Sequence, residues 1–193
     1  MALLIGKTAP DFSASAVKEN EIIENFRLSD FKGKYIVLFF YPMDFTFVCP
    51  TEIHAFNERL NEFKSRGAEV IAASVDSHFS HHAWLSTPKS QGGIQGVKYP
   101  VVSDLKKEIS RTYDVLFEEL GVAYRALFII DKNFIVRHQL INDLPLGRSV
   151  DEALRIVDAI QLVDERGEVC PANWHKGEKT MVPSSEGVRE YFN

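Results

Sequence analysis

Continuous apolar runs alternate with amphipathic stretches through the middle of the chain, and their spacing separates strands from helices. Tyr35–Tyr41 (YIVLFFY) is apolar throughout, between Lys34 and Pro42. Its length and its Ile, Val and Phe content predict a buried central strand. Beyond it, Ile53, Phe56, Leu60 and Phe63 recur at helical spacing, with Glu52, Asn57, Glu58, Asn61, Glu62 and Lys64 between them. Gly67 supplies a stop. Residues 50–66 therefore read as one amphipathic helix with Cys49 at its amino end. EVIAASV (69–75) predicts a second buried strand, and Asp76-Ser77 can cap a helix over 78–86.

The rest of the pattern continues the alternation. Residues 87–96 contain Pro88, Gly92, Gly93 and Gly96 and read as a loop. A short strand over 99–103 precedes a helix over 105–113 that Asp104 begins. VAYRALFII (122–130) reads as one buried strand, and Asp131-Lys132-Asn133 as a hairpin turn. The returning strand, 134–141, places Ile135, Arg137 and Gln139 on one face and Phe134, Val136, His138 and Leu140 on the other, as a sheet edge. A long helix starts at Ser149 or Asp151, carries Val150, Leu154, Val157 and Ile160, and ends near Gly167. Residues 1–34 read as an irregular lead-in with two short strands and a turn closed by Gly33. Residues 168–193, rich in Pro, Gly and charge, read as a mobile arm with one last helical turn over 186–192. The class is α/β, with a central mixed β-sheet and helices on both faces.

Composition narrows the function. The chain has 193 residues, 45% of them hydrophobic, enough for one buried core. A net charge of −5 without a basic cluster argues against a nucleic-acid partner. The amino-terminal MALLIGKTAP is too short and lacks the basic lead of a signal peptide, and no apolar run approaches membrane-spanning length. The expectation is a cytoplasmic protein with no membrane partner.

The two cysteines, Cys49 and Cys170, form no CxxC and no zinc-type cluster. In a reducing compartment they could simply be two buried thiols. The surroundings of Cys49 argue otherwise. A helix amino terminus stabilises a thiolate by about 0.3–1 kcal/mol when exposed, and a thiolate is the nucleophilic form. Thr46 can place a hydroxyl beside the sulfur, Pro42 offers an apolar wall, and Pro50 suits the first helical turn. Glu52, one turn on, disfavours a thiolate by itself, so a cation is expected nearby. Arg125 is the candidate, as the only charge in an otherwise apolar strand. The alternative is an arginine at the exposed end of that strand. Arg148 can join the same network, although alone it reads as a solvated surface charge.

At this point Pro42-x-x-x-Thr46-x-x-Cys49, within DFTFVCPTE, resembles the active-site pattern of the peroxiredoxins, and of their typical two-cysteine subgroup. SVDS (74–77) with His82-Ala83-Trp84, Arg125 before LFIID, NDLPLGRSVDE (142–152) and EVCPANW (168–174) extend the resemblance from about residue 4 to the carboxyl end. The resemblance implies a thioredoxin-like peroxidase domain over 4–163 and a carboxyl-terminal arm over 164–193. It implies that Cys49 attacks peroxide and becomes a sulfenic acid. Thr46 would hold the sulfur and the peroxide oxygen, Arg125 would activate the thiolate, and Pro42 would shield the sulfenic acid. Glu52 and Arg148 would orient Arg125, and Trp84 would pack beside the site. Cys170 would resolve the sulfenic acid of a partner chain to an intersubunit disulfide, which a thioredoxin-type reductant opens. No metal or organic cofactor is implied.

The resemblance also makes strand 134–141 a dimer-forming edge, and places Phe45 and Phe79 near the contacts of a ring of five dimers; plain core aromatics are the alternative for both. His78, His81 and His82 lie on one short helix without partners in register for a metal. Two positions depart from the family pattern. Gln95 stands in Gly92-Gly93-Ile94-Gln95-Gly96 where a GGxG loop has its last glycine, while the accompanying Tyr191-Phe192 is present; Ala126 stands after Arg125 where glycine is common. Two other functions are carried beside the peroxidase: an oligomeric holdase or redox relay, and a thioredoxin-type oxidoreductase, which the missing CxxC opposes.

Overall fold

The computed structural model describes residues 3–193; Met1 and Ala2, part of the terminus read above for a signal peptide, lie outside the described residues. The chain divides into two compact units, the first ending at Val150 and the second spanning Asp151–Asn193.

The first unit is built on a seven-stranded sheet. Its strands are β1 (Ser13–Lys18), β2 (Glu21–Arg27), β3 (Tyr35–Phe40), β4 (Ala68–Ser74), β5 (Val101–Ser103), β8 (Arg125–Ile130) and β9 (Val136–Asn142), in the order β2-β1-β5-β4-β3-β8-β9. The pairs β3–β4 and β4–β5 are parallel and the rest are antiparallel, so the sheet is mixed. A separate two-stranded ribbon pairs β6 (Leu116–Phe117) with β7 (Val122–Ala123). β9 is an edge strand, as its alternation suggested.

β3 is buried along its whole length because both faces of the sheet are covered. On one face Phe39 stacks on Phe56 at 4.6 Å, and Phe56 meets Phe63 at 5.9 Å. Those two rings come from α1 (Cys49–Glu58) and α2 (Leu60–Ser65). On the other face Ile36, Leu38 and Phe40 join Phe128 and Tyr113, the residue that ends α4 (Glu108–Thr112), in one core. The helix α3 (His78–Ser86) has the expected bounds, and Ser77 caps it by accepting from the amide of Ser80.

Three local expectations are corrected. The single helix over 50–66 is broken at Arg59, which leaves helical geometry at φ −99°, ψ 8°. The break follows Asn57, whose amide reaches across to the carbonyl of Gly96 and the N–H of Lys98. The single strand over 122–130 is interrupted at Tyr124, whose N–H is taken by the carbonyl of Val115 and whose ring stacks on Phe117 at 5.1 Å. The interruption separates β7, which pairs with β6, from β8. The helix expected over 105–113 is only the five residues of α4, because Lys107 sits at φ 62°.

In the second unit, α5 (Val150–Arg166) leads to a segment that pairs with itself. Val169 and Met181 exchange two backbone hydrogen bonds, of 2.8 and 3.1 Å. Ser184 caps α6 (Ser185–Phe192) through the N–H of Gly187. The stretch read as a loose arm is thus folded back on itself.

Candidate active site

Cys49 is the first residue of α1 and is fully buried. Val48 provides no side-chain cap, and Pro50 follows directly, so the first turn carries no side chain that competes for its amides. Alternation along β8 decides what faces the sulfur. Leu127 and Ile129 pair with Phe39 and Val37 on the α1 side of the sheet, and Arg125, two residues before Leu127, lies on that same side.

Arg125 is buried, not at an exposed strand end. Its Nη1 donates to Cys49 Sγ at 3.3 Å and to Glu52 Oε2 at 2.8 Å, and its Nε donates to the carbonyl of Leu144. Arg148 is buried as well, inside the same network and not the solvated surface charge it would read as alone. It grips Glu52 through Nε (2.7 Å), Nη2 (2.8 Å) and its backbone N–H (2.9 Å). Its Nη1 donates to the carbonyls of Phe40 and Ala126, at the end of the β3–β8 ladder, and its guanidinium lies 5.0 Å from the ring of Phe39. Ala126, where the family pattern has glycine, thus supplies an acceptor through its backbone.

The charges of this cluster can be counted. Two guanidiniums face one carboxylate, and all three groups are nearly excluded from solvent. The cluster is neutral only when the sulfur carries a negative charge. In a low-dielectric interior such a surplus is expensive to leave uncompensated. The site therefore presents a positive charge to any negative charge that develops on the sulfur, and the dipole of α1 acts in the same sense.

The connection from β3 to α1 forms the other wall. Pro42 is buried. Thr46 donates its hydroxyl proton to the carbonyl of Met43 at 2.9 Å. Its oxygen keeps lone pairs that can accept from a bound molecule. Pro42, Thr46, Val48, Arg125, Val122 and Leu144 are among the residues lining a cavity of about 490 Å³, apolar apart from the hydroxyl and the guanidinium.

A second polar cluster, which sequence reasoning missed, holds this connection in place. Asp44 accepts from Tyr41 Oη, Ser80 Oγ and His81 Nδ1, each at 2.8 Å, and its own N–H donates to Asp76. Burial and then the charge of Asp44 push the pKa of Tyr41 up, and the same two causes raise that of Asp76. Asp44 is the only charge between Tyr35 and Cys49, the same signal that singled out Arg125. His81 is spent here and on the carbonyl of Val102, while His78 packs on Phe79. Trp84 is buried, donates to the carbonyl of Gly92, and meets Tyr41 and Phe45 at 5.9 and 5.8 Å. Phe45 and Phe79 are exposed, at 52% and 69%, so neither is a core aromatic.

Cys170, in the second unit, is half-buried, and each cysteine is a free thiol. Burial raises its thiol pKa, and Arg155 opposes that shift. Tyr191 and Phe192 stand edge to face at 5.2 Å at the end of α6.

Residues 5–139 match the model of the AhpC/TSA family, and residues 159–193 match that of the C-terminal domain of 1-Cys peroxiredoxin. Peroxiredoxin-1 of Gallus gallus is 56% identical over 189 residues, covering 98% of this chain and 95% of that protein. Thioredoxin peroxidase of Echinococcus granulosus is 51% identical over 193 residues, the full length of both chains. The reduced 2-Cys peroxiredoxin of Plasmodium vivax superposes with a TM-score of 0.95 at 49% identity, covering 99% of each chain. A thiol-dependent peroxidase on a thioredoxin-like fold is what these likenesses and the buried cysteine have in common, and the chain belongs to the AhpC/TSA family as a two-cysteine peroxiredoxin.

Proposed function

We propose that Cys49 is the peroxidatic cysteine and that it reduces hydrogen peroxide and organic hydroperoxides. The observation that carries this reading is the surplus positive charge beside its sulfur, delivered by Arg125 at 3.3 Å. The thiolate attacks one peroxide oxygen, the O–O bond breaks, and the leaving oxygen departs as water or an alcohol once protonated. The sulfur becomes a sulfenic acid. Arg125 stabilises the charge as it moves from sulfur to oxygen. Thr46, whose proton is committed to Met43, accepts from the peroxide O–H and so orients it. Pro42 limits access of water. Glu52 and Arg148 position Arg125, and Trp84 braces the connection through Phe45.

In this reading the peroxidase domain runs over 4–163 and the arm over 164–193. Cys170 of a second copy of the chain attacks the sulfenic sulfur, giving an intersubunit disulfide that a thioredoxin-type reductant opens. The dimers assemble further into a decameric ring, to which the exposed Phe45 and Phe79 are suited, and the protein works in the cytoplasm. Among the described residues no helix is long and apolar enough to cross a membrane. The Arg125 guanidinium at the Cys49 sulfur supports this function over the holdase.

Hydrogen peroxide is expected to convert the protein to a disulfide-linked dimer on a non-reducing gel. Cys170→Ser is expected to abolish that band while leaving one rapid sulfenic-acid event at Cys49. A dimer that persists in Cys49→Ser would overturn the assigned roles.

A further inference from the structure

One face of α5 carries Glu152, Arg155 and Ala159, at spacings of three and four residues. Arg155 binds Glu152 with two prongs, Nε to Oε2 at 2.6 Å and Nη2 to Oε1 at 2.7 Å. Its third arm, Nη1, donates to the carbonyl of Trp174 at 3.1 Å. The N–H of Trp174 closes a turn on the carbonyl of Pro171, with Asn173 at φ 61° inside it. Arg155 therefore ties down the turn that directly follows Cys170. The sulfur of Cys170 lies 3.8 Å from the carbonyl of Ala159, one helical turn beyond Arg155. Several other charges of the unit have partners of their own. Lys176 pairs with Asp158 at 3.3 Å, Glu168 accepts the hydroxyl of Thr180, and Lys179 donates to the end of α6.

The geometry points to Arg155 and Glu152 as opposed positioning residues for the resolving step, Arg155 favouring the reactive form of Cys170 and Glu152 restraining it. The inference rests on Cys170 being the resolving cysteine. In that step the sulfur of Cys170 attacks the sulfur of the Cys49 sulfenic acid. An S–S bond forms, the S–O bond breaks, and hydroxide leaves and takes up the proton released by Cys170, giving water. The sulfenic sulfur is reduced and the thiol oxidised, with no further reactant. Only the thiolate attacks efficiently. Burial disfavours it, and Arg155 is the charge that opposes burial. The two-pronged grip of Glu152 offsets part of that charge.

The two residues therefore act with opposite sign. The test follows disulfide formation after one equivalent of hydrogen peroxide, by rapid quench and non-reducing gel, across pH in the full-length protein. Arg155→Gln is expected to slow this phase about two- to fivefold at neutral pH, the scale of a partly exposed ion contact, and to move its pH midpoint up. Glu152→Gln, which keeps shape and hydrogen-bonding reach, is expected to move the midpoint down and speed the phase. Arg155→Lys, which keeps the charge and loses the fork, is expected to hold the midpoint near that of the parent protein. Midpoints that move the same way in both Gln variants, or in neither, overturn the inference, because a purely structural clamp gives no sign reversal. Disulfide that still forms in Cys170→Ser instead removes the underlying assignment of Cys170.

Discussion

Cys49 and Cys170 each lie beside an arginine, yet the charge around them differs. At Cys49 two guanidiniums, Arg125 and Arg148, share the single carboxylate of Glu52, with side chains no more than 5% exposed. At Cys170 one guanidinium, Arg155, faces one carboxylate, Glu152, and the pair is 21% and 42% exposed. The first surrounding has a positive charge left over for the sulfur and little water to screen it. In the second, Glu152 offsets part of the charge of Arg155, and water reaches it. In the proposed reading, the same residue types in a different count keep one thiol ready to attack and a second in reserve.

The largest expected effect tests whether the cluster at Cys49 is held by its charge balance. Glu52→Ala leaves two buried guanidiniums facing each other, and breaking a buried pair this way costs about 3–5 kcal/mol. Denaturant unfolding should show that loss through a lower midpoint with an unchanged slope. A loss below about 1 kcal/mol, the scale of an exposed pair, would mean that Arg125 and Arg148 are held by other contacts. The next effect is on chemistry. Arg125→Met keeps bulk and removes the donor to the sulfur, and the second-order rate constant for peroxide should fall about 10²- to 10³-fold, the scale of losing one donor aimed at developing charge. Stopped-flow fluorescence measures it directly, and a value within a few-fold of the parent protein would break the comparison. Thr46→Val retains the shape of the wall and removes one acceptor for the peroxide. It should slow the same reaction about two- to tenfold, the range for a single neutral hydrogen bond, without changing stability by more than about 1 kcal/mol.

What was legible in the sequence follows from the range of the interactions involved. β3 could be read because both faces of the sheet are covered and every position is apolar. α3 has its expected bounds because its cap, Ser77, is local. Arg125 stood out as a lone charge in an apolar strand, and the structure brings it to the sulfur. Arg148 was placed in the same network, but its own segment reads as a surface charge, because its partners Phe40, Glu52 and Ala126 are remote in sequence and only the closed end of the β3–β8 ladder assembles them. The break at Arg59 was hidden for the same reason, since Asn57 is engaged by residues about 40 positions away. Asp44 is the one clear omission. It met the lone-charge criterion that found Arg125, and it holds the connection that carries Thr46.

The smallest expected effect sharpens the comparison on the Cys170 side. The folded unit raises the pKa of this thiol through burial. A group whose folded value lies above its unfolded one contributes stability that is complete below the unfolded value and lost as pH rises through the folded one. An unfolded thiol titrates near pH ~8.5, so the packing of Cys170 on α5 should weaken only in mildly alkaline solution. The paired amides of Val169 and Met181 flank this packing and report on it. Their hydrogen-exchange protection, after correction for the intrinsic rise with pH, should decline above that pH in the parent protein and stay level in Cys170→Ser. Equal protection in both proteins at every pH would mean that the thiol is not what couples this segment to pH. The reserve held at Cys170 would then have to come from the fold of the segment alone, not from its charge.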